Sequence, residues 1–242
     1  MDEKVTMSDE ARQASKAVRH YTDERIDVSY DATRCIHAAE CVHGLPSVFD
    51  TARRPWILPS GAGADAIVAV VARCPTGALH ATRLDGGGAA AEEVPAENSI
   101  VPQANGPLYV RGQLQLRTPE GGVMLDDVRI ALCRCGQSRN KPFCDNSHRD
   151  AGFVDPGAIT GANGHANPDT NSSATPLSII PTTDGPLALE GAFTIRTSEG
   201  SAQHYAVKAT LCRCGASNRK PFCDGSHRRI AFRSAPPDEA TG

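Results

Sequence analysis

Nine cysteines in three groups of three are the feature that most limits how this 242-residue chain can fold. An odd number of cysteines cannot all form disulfides within one chain. Residues 1–20 also lack the apolar stretch of a secretory signal, so a disulfide framework is a poor interpretation. Reduced cysteines that cluster in sequence usually bind metal, and we therefore expect three metal sites. The groups are Cys35, Cys41 and Cys74; Cys133, Cys135 and Cys144; and Cys212, Cys214 and Cys223.

The second and third groups belong to an internal duplication. Each cysteine of the second group has a counterpart in the third at one constant offset, and His148 has His227 at the same offset. Of the 55 positions from 99 to 153, 27 are identical to their counterparts, with no gap. Two copies of one small module are the economical explanation. Because aromatic residues make up only 5% of the chain, we expect small metal-stapled modules rather than one large core.

Segments rich in Gly, Ala, Ser, Asn and Pro predict the domain boundaries. They separate the cysteine groups and cannot bury enough apolar surface to fold alone. We predict a first domain over residues 21–84 and two modules over residues 99–153 and 178–234. The remaining segments are predicted as tails, residues 1–20 and 235–242, and as linkers, residues 85–98 and 154–177.

Charge and hydropathy argue against two classes of partner. The formal net charge is -3, so bulk charge attracts neither nucleic acid nor an anionic membrane. The longest uninterrupted apolar run, residues 66–72, is far shorter than the roughly 18 residues that span a bilayer. We therefore expect a cytoplasmic protein without nucleic-acid or membrane partners.

Alternating apolar and polar residues precede each duplicated cysteine loop. A period of two is typical of half-buried strands, and residues 118–122 and 197–201 supply turns between the runs. Each copy is therefore predicted to be a small antiparallel sheet that leads into its loop. The apolar positions are Leu108, Val110, Gly112, Leu114, Leu116, Val128, Ile130 and Leu132 in the first copy, and Leu187, Leu189, Gly191, Phe193, Ile195, Val207, Ala209 and Leu211 in the second.

Each duplicated loop offers three thiolates and one imidazole as ligands. Structural zinc sites use such a set, which would make each copy a zinc-stapled fold. An iron–sulfur cluster also suits it, with a histidine ligand that raises the reduction potential. Spacing favours the cluster only in part, since C-x-C followed by eight residues is unusual for zinc. We also expect Asp145 to be the N-cap of a short helix that turns His148 toward the metal.

Both loops resemble the motif of the CDGSH iron–sulfur (NEET) proteins, C-x-C-x2-S/T-x3-P-x-C-D-G-S/A/T-H. The loop over residues 212–227 matches every fixed position, and the loop over residues 133–148 differs only at Asn146, which replaces a glycine. Asparagine tolerates positive φ, so we expect the turn to survive. The resemblance implies two modules that pack about a pseudo-twofold axis within one chain, as a dimer does. It also implies one [2Fe–2S] cluster on Cys133, Cys135, Cys144 and His148, and another on Cys212, Cys214, Cys223 and His227.

The first cysteine group resembles another family, the divergent single-cluster bacterial ferredoxins. Residues 26–31 alternate like a strand, and residues 65–73 have the pattern of a helix that runs into a Cys-Pro pair. The resemblance implies a ferredoxin-like domain, so that the whole chain is α+β to mostly β. The cluster of this domain would be held by Cys35, Cys41 and Cys74.

Ala38 sets the expected cluster type at the first group. It occupies the slot where [4Fe–4S] ferredoxins have a further cysteine, so three cysteines match the three irons of a [3Fe–4S] cluster. The alternative is a [4Fe–4S] cluster whose fourth ligand is His37, His43 or a non-protein group. A single metal ion on three cysteines is a weaker alternative.

Four further residues of the duplicated loops allow two interpretations each. Arg134 and Arg213 either tune the cluster charge or are exposed side chains that balance the thiolates. Ser138 and Ser217 either donate a hydrogen bond to a cluster sulfur or stabilise the local turn.

The ligand sets favour electron transfer over catalysis. No nucleophile–base pair, phosphate loop or dinucleotide glycine motif occurs in the sequence, so we do not expect an enzyme. Clusters of different types have different potentials, and they would exchange electrons with a redox partner such as a reductase or an oxygenase. Two alternatives stay open. One is a donor of clusters to an acceptor protein that also senses redox state or pH, and the other is a zinc-stapled interaction module.

Overall fold

The computed structural model describes residues 18–88, 92–160 and 175–235. Most of the predicted tails and the inner parts of both predicted linkers lie outside these ranges. The described chain forms two compact units, one built from residues up to 74 and 78–93, the other from residues 75–77 and 94 onward. No helix within the described ranges is long and apolar enough to cross a membrane.

A three-stranded antiparallel sheet with short helices forms the first unit. Its elements are β1 (Val18–Thr22), β2 (Ile26–Asp31), α1 (Glu40–Gly44), a 3-10 helix (Pro59–Gly61), α2 (Ala64–Val71) and β3 (Leu79–Arg83). The central strand β2 pairs with β1 on one side and with β3 on the other. Ile26 and Val28 of β2 are fully buried, because alternate side chains of a strand point to the same face. Strand β1 begins inside the predicted tail.

The sequence patterns locate the main elements of the first unit well. The strand predicted over residues 26–31 is confirmed. The helix predicted over residues 65–73 spans Ala64–Val71 and buries Ile67 and Val71. It ends before the predicted residue because the chain approaches Pro75, whose ring disfavours the helical conformation in the residue before it.

The second unit is mostly β and contains both duplicated modules. Its elements are β4 (Ser99–Pro102), β5 (Leu108–Arg117), β6 (Val123–Leu132), α3 (Ser147–Asp150), β7 (Leu177–Pro181), β8 (Leu187–Arg196), β9 (Gln203–Leu211) and α4 (Ser226–Arg229). In each copy a short strand and two long strands pair antiparallel: β4 with β5 and β5 with β6, then β7 with β8 and β8 with β9. The antiparallel pairing predicted within each copy is therefore present, but the six strands belong to one mixed sheet rather than to two separate small sheets.

Parallel pairing joins the two modules reciprocally. Strand β4 pairs with β8 of the second copy, and β7 pairs with β5 of the first. Each module thus places its short first strand beside the long strand of the other. The partners are Ser99–Thr194 and Ile100–Ile195 in one ladder, and the equivalent positions of the duplication, Ser178–Gln115 and Ile179–Leu116, in the other.

The apolar positions predicted from the alternation are buried in β5, but some of those predicted in β6 and β9 are exposed or only partly buried. Leu108 and Leu116, at the ends of β5, are buried as predicted. By contrast, Val207 is 60% exposed and Val128 is only partly buried. Each of these valines lies opposite a register shift in the neighbouring strand. The ladder is interrupted there, so the simple period of two does not hold.

A glycine marks the point where each long strand changes its neighbour. Gly112 of β5 and Gly191 of β8 both have positive φ, 144° and 120°. A Cβ atom at Gly112 would overlap the Asn98 side-chain oxygen, and one at Gly191 would lie 2.7 Å from the Pro176 carbonyl oxygen. These contacts leave no room for a side chain, so the crossing of the two modules requires glycine at both positions.

Asn98 joins three backbone groups at this crossing. Its side-chain oxygen accepts a hydrogen bond from the Gln113 N–H at 2.8 Å. Its amide nitrogen donates to the carbonyl oxygens of Thr175 and Ala192, both at 2.9 Å. The duplicated position is Leu177, so this set of bonds exists once in the described chain.

We expect Asn98→Ala to lower the free energy of unfolding of the second unit by about 2–3 kcal/mol. The substitution removes three part-buried hydrogen bonds, and a hydrogen bond of this kind contributes about 1 kcal/mol. Urea unfolding measures the loss. Asn218→Ala is the control, because Asn218 is exposed and its recorded hydrogen bond uses only the backbone N–H. Equal unfolding midpoints for the two variants would contradict the prediction.

Candidate metal centres

Each duplicated cysteine loop begins where a long strand ends. Cys133 directly follows β6, and Cys212 directly follows β9. The Cys133 N–H donates to the Pro142 carbonyl at 2.8 Å, and the Cys144 N–H donates to the Ala131 carbonyl at 2.9 Å. The same two bonds recur in the second copy. The strand end therefore holds both sides of the loop, and the cysteines are fixed by backbone hydrogen bonds.

The ligand atoms of each loop come together as two pairs. In the first loop the sulfurs of Cys133 and Cys135 are 3.7 Å apart, and the Cys144 sulfur is 3.5 Å from Nδ1 of His148. The second loop repeats this pairing with distances of 3.8 and 3.4 Å, between Cys212 and Cys214 and between Cys223 and His227.

These distances are the ones that two ligands of a single tetrahedral metal adopt. With metal–sulfur bonds of about 2.3 Å and metal–nitrogen bonds of about 2.0 Å, two sulfurs lie about 3.8 Å apart, and a sulfur and a nitrogen about 3.5 Å apart. Each loop therefore presents two pairs of donor atoms, and each pair has the spacing of two ligands on one metal. The donor set fits a binuclear centre with two ligands on each metal. Among the residues that the structure describes, no group of three or more His, Cys, Asp or Glu is arranged to hold one metal ion.

Backbone N–H groups and neighbouring thiols stabilise negative charge on the sulfurs. The Gln137 N–H points at the Cys135 sulfur at 3.4 Å, and the Asn146 N–H points at the Cys144 sulfur at 3.4 Å. The hydrogen bond from Cys135 lowers the pKa of Cys133 to about 6 and raises that of Cys135. Cys212 and Cys214 repeat this pattern. The shared hydrogen bond of each S–S pair thus favours the thiolate form of its first cysteine.

The histidine of each loop lies on a one-turn helix that follows a left-handed residue. Asn146 has φ 74° and Gly225 has φ 85°, which confirms that asparagine adopts the turn of the glycine. The prediction that Asp145 is the N-cap is wrong, since the N-cap residue of α3 is Asn146 and its side chain makes no capping bond. Asp145 stabilises the helix start instead by accepting from the Ser147 N–H at 3.0 Å. The extra left-handed residue moves the cap position by one.

The two loops touch each other through their backbones. Cys135 and Cys214 form an isolated antiparallel bridge. A Cβ atom at Gly136 would lie 2.7 Å from the Cys214 carbonyl oxygen, and one at Gly215 would lie 2.7 Å from the Cys135 carbonyl oxygen. The two candidate centres are thus held against one another by a reciprocal contact that only glycine permits.

The interpretation of Arg134 and Arg213 as exposed side chains is wrong. Arg134 is 0% exposed and Arg213 is 3% exposed, because both guanidinium groups bind carbonyl oxygens of the turn between the first two strands of their module. Local sequence does not show this, since that turn lies well upstream of the cysteine loop. Their identity in both copies is the only signal of a shared role.

Ser138 and Ser217 act in the local turn. The Ser138 hydroxyl donates to the Phe143 carbonyl at 2.7 Å, and the Ser217 hydroxyl donates to the Phe222 carbonyl at 2.7 Å. Each hydroxyl oxygen also accepts a backbone N–H from the second residue after it. The turn-stabilising interpretation is therefore the one that the contacts support.

The first unit contains a cavity of about 520 Å³ beside its cysteines. Cys35, Cys41 and Ala38 line it, and so does His37, whereas His43 does not. Cys74 lies in the same buried cluster as the other two cysteines. Burial raises the pKa of the Cys41 thiol to about 11, with smaller contributions from the other two thiols. The cavity is large enough for a cubane-sized group, and the predicted cysteines border it or lie close to it.

Tyr30 is a residue of this site that the sequence patterns did not single out. Its ring packs edge-on against Trp56, with centroids 4.9 Å apart, and both rings line the cavity. Burial, followed by a hydrogen bond with Cys35, raises the pKa of the Tyr30 hydroxyl. The hydroxyl therefore stays protonated as a donor near a predicted ligand sulfur. Tyr30 shares a face of the central strand β2 with the buried Ile26 and Val28, so its position in the alternation indicates partial burial but not a contact with Cys35.

Comparison with known proteins agrees with this geometry. Residues 21–84 match the family described as a divergent 4Fe-4S mono-cluster, and residues 105–149 and 184–228 match the family described as an iron-binding zinc finger of CDGSH type. In its N-terminal region the chain is 41% identical over 61 residues to the uncharacterized protein YjdI of Escherichia coli K12. The same values hold for YjdI of Escherichia coli O157:H7. The match covers 25% of this chain and 80% of YjdI. No solved structure matches the chain. The chain therefore belongs to the iron–sulfur proteins, with one divergent 4Fe-4S mono-cluster domain followed by two CDGSH iron-binding domains.

Proposed function

We propose that this protein is a multi-cluster electron carrier rather than an enzyme. The observation that carries the proposal is the pairing of ligands in each CDGSH loop, where one S–S pair and one S–N pair each have the spacing of ligands on a single metal. A [2Fe–2S] cluster needs two ligands on each iron. A single zinc ion needs all four ligands around one point, so the paired arrangement favours the cluster. The resident clusters supply one-electron redox chemistry, and the chain holds and tunes them.

The two CDGSH sites are proposed to use all eight predicted ligands. One cluster is held by Cys133, Cys135, Cys144 and His148, and the other by Cys212, Cys214, Cys223 and His227. The reciprocal strand pairing and the reciprocal glycine contacts support a pseudo-twofold relation between the modules. A symmetric pair of sites in contact suits electron exchange between them.

The first site is proposed to hold one further cluster on Cys35, Cys41 and Cys74 in a ferredoxin-like domain. Three thiols support a [3Fe–4S] cluster. The description of the matched family supports the alternative, a [4Fe–4S] cluster whose fourth iron has a non-cysteine ligand. His37 lines the cavity and His43 does not, so His37 is the better candidate of the two for such a ligand.

A redox partner protein is proposed for this carrier. Arg149, Arg228 and Arg229 are exposed beside the two histidines, where positive charge would steer an acidic reductase, an oxygenase component or a cluster acceptor toward the sites.

Iron and sulfide analysis with EPR on anaerobically purified protein tests the proposed cofactors. One [3Fe–4S] and two [2Fe–2S] clusters give about seven iron and eight sulfide per chain, whereas a [4Fe–4S] cluster at the first site gives about eight of each. When holo protein is mixed with an apo-ferredoxin, a carrier is expected to keep its clusters and to be reduced rapidly by a reductase. About two zinc ions with little sulfide would overturn the proposal.

A second candidate function, a cluster donor that responds to pH, is favoured by the histidine ligands. A metal and a proton compete for the same imidazole nitrogen, and the ordinary pKa of imidazole is near 6.5. We expect mildly acidic pH to release the clusters of the CDGSH modules before the cluster of the first site. Absorbance at the cluster bands, followed after a pH drop, measures the release. His227→Cys should slow it at the second module, and parallel loss of all bands would contradict this prediction. Rapid migration of clusters to the apo-ferredoxin would favour the donor over the carrier.

A further inference from the structure

Arg134 and Arg213 form a matched pair of buried cations in the two CDGSH modules. The Nε–H of Arg134 donates to the Gly106 carbonyl at 3.0 Å, and that of Arg213 donates to the Gly185 carbonyl at 3.0 Å. Each guanidinium also binds one further turn carbonyl, and each lies over a phenylalanine ring, at 5.1 Å from the ring centre in the first module and 5.3 Å in the second. These carbonyl and ring contacts are therefore the same in both modules.

The carboxylate partner of the two arginines is different. Arg134 forms an ion pair with Asp155, whose side chain is itself buried. The duplicated position is Ser234, and no carboxylate lies within hydrogen-bond distance of Arg213 among the described residues. A buried cation with a carboxylate is close to neutral as a pair, whereas a buried cation without one keeps its full charge.

The second module has a carboxylate in this region, but at a different position of the duplication. Asn105 of the first module corresponds to Asp184 in the second. Asp184 accepts from the Ser234 N–H at 2.7 Å and pairs with the exposed Arg233 at 2.7 Å. The negative charge of Asp184 is therefore balanced by Arg233 and by solvent. Arg233 has no charged counterpart in the first module, where Val154 occupies that position, and only the first module places its carboxylate on the buried arginine.

Arg213 lies where the two CDGSH loops meet. The bridge between Cys135 and Cys214 brings the two loops together, and Arg213 directly precedes Cys214. The ring of Phe232, over which the guanidinium of Arg213 lies, is in one buried cluster with Cys212 and Cys214. Lys141 adds a second positive charge on this side, 6.0 Å from the centre of the ring on which Arg213 lies.

We propose that the unpaired Arg213 makes the two CDGSH sites inequivalent, so that one of them, the site of Cys133, Cys135, Cys144 and His148 or the site of Cys212, Cys214, Cys223 and His227, is reduced before the other. This inference rests on the proposed [2Fe–2S] function. Reduction of one such site takes one electron from the reductant and adds one negative charge to the site. A full positive charge in a buried environment stabilises that added charge more than a neutral ion pair does. Arg213 and Asp155 thus set the order of electron uptake.

A double exchange tests the inference without changing the net charge. Asp184→Asn with Ser234→Asp moves the carboxylate of the second module to the position of Asp155, beside Arg213. The reverse exchange, Asn105→Asp with Asp155→Ser, removes it from Arg134. Holo protein is titrated anaerobically with dithionite and followed by EPR, and thermal unfolding confirms that each variant is folded.

The natural protein is expected to show two CDGSH waves whose one-electron equilibrium constants differ about tenfold or more, which is about 59 mV. The exchange in the second module should lower the upper wave, and the exchange in the first module should raise the lower wave. Each should reduce the ratio to below about threefold. His148→Cys identifies the wave of the first module, because an additional thiolate lowers the potential of its own site.

Two results would overturn the inference: a single CDGSH wave in the natural protein, or a ratio that both exchanges leave unchanged. If one exchange fails to fold, the other still decides, since they act on different waves. A protein that lacks any [2Fe–2S] signal would instead refute the proposed function, and the inference with it.

Discussion

Gly136→Ala is expected to lower the free energy of unfolding of the second unit by about 3–5 kcal/mol and to reduce the iron content of both CDGSH loops. Gly136 has φ 83°, and a residue with a Cβ in the left-handed region costs about 1–2 kcal/mol. The new Cβ would also lie 2.7 Å from the Cys214 carbonyl oxygen. That oxygen is backbone on the opposite loop, so relief of the clash must separate the loops.

The matched control for this substitution is Gly121→Ala. Gly121 has φ 92°, close to that of Gly136, but its Cβ would meet no atom within 4 Å. The control therefore includes the backbone strain without the clash. Urea unfolding of holo protein and iron analysis measure both variants. A Gly136→Ala variant with the stability and iron content of Gly121→Ala would show that the loop contact is not needed.

Arg134→Met is expected to cost about 3 kcal/mol of unfolding free energy, and clearly more than Arg213→Met. The first substitution leaves Asp155 buried without its partner, which is the costly way to break a buried ion pair. Lys220, 3.9 Å from Asp155, replaces only part of the lost interaction. The second substitution removes bonds to carbonyl groups but leaves no buried charge behind, so about 1–2 kcal/mol is expected.

The double variant Arg134→Met with Asp155→Ser separates charge from packing. It removes both charges and gives the first module the serine of the second. Because no buried carboxylate is then left unpaired, we expect it to recover about 1–2 kcal/mol relative to Arg134→Met. Urea unfolding of holo protein, with the iron content checked, measures the recovery. No recovery would mean that Arg134 stabilises the module through its carbonyl bonds and ring contact rather than through Asp155.

The grouping of the candidate ligand side chains in each CDGSH loop could be predicted from sequence because each loop is local. Cys133, Cys135, Cys144 and His148 lie in one short segment, and a turn with a one-turn helix brings their ligand atoms together. The strand over 26–31 and the alternation in β5 were also predictable, since side-chain period reports directly on a half-buried strand. At the first site the cysteines were predictable, but Tyr30 was not, because nothing in its own segment indicates the contact with Cys35.

The two failures in the strands share one physical reason, and the failure at Asp145 has a separate, local one. Val128 and Val207 are more exposed than their place in the apolar–polar alternation predicts, because each faces a register shift in a neighbouring strand. The register of a ladder depends on both strands and on the residues that cross them. Asp145 is displaced from the cap position by one left-handed residue, which the short motif does not reveal.

By itself the sequence determined the duplication, the three cysteine groups and the donor atoms that each group offers, because these depend on residue type and short spacing. Only the tertiary structure decided that each module places its first strand on the other and that the loops meet at two glycines. It also decided that Arg134 and Arg213 are buried with different partners. These features depend on contacts between segments far apart in sequence, such as that between Arg134 and Asp155 or between Gly136 and Cys214. Such contacts form only when the strands of both modules assemble into one sheet, and no local sequence pattern encodes them.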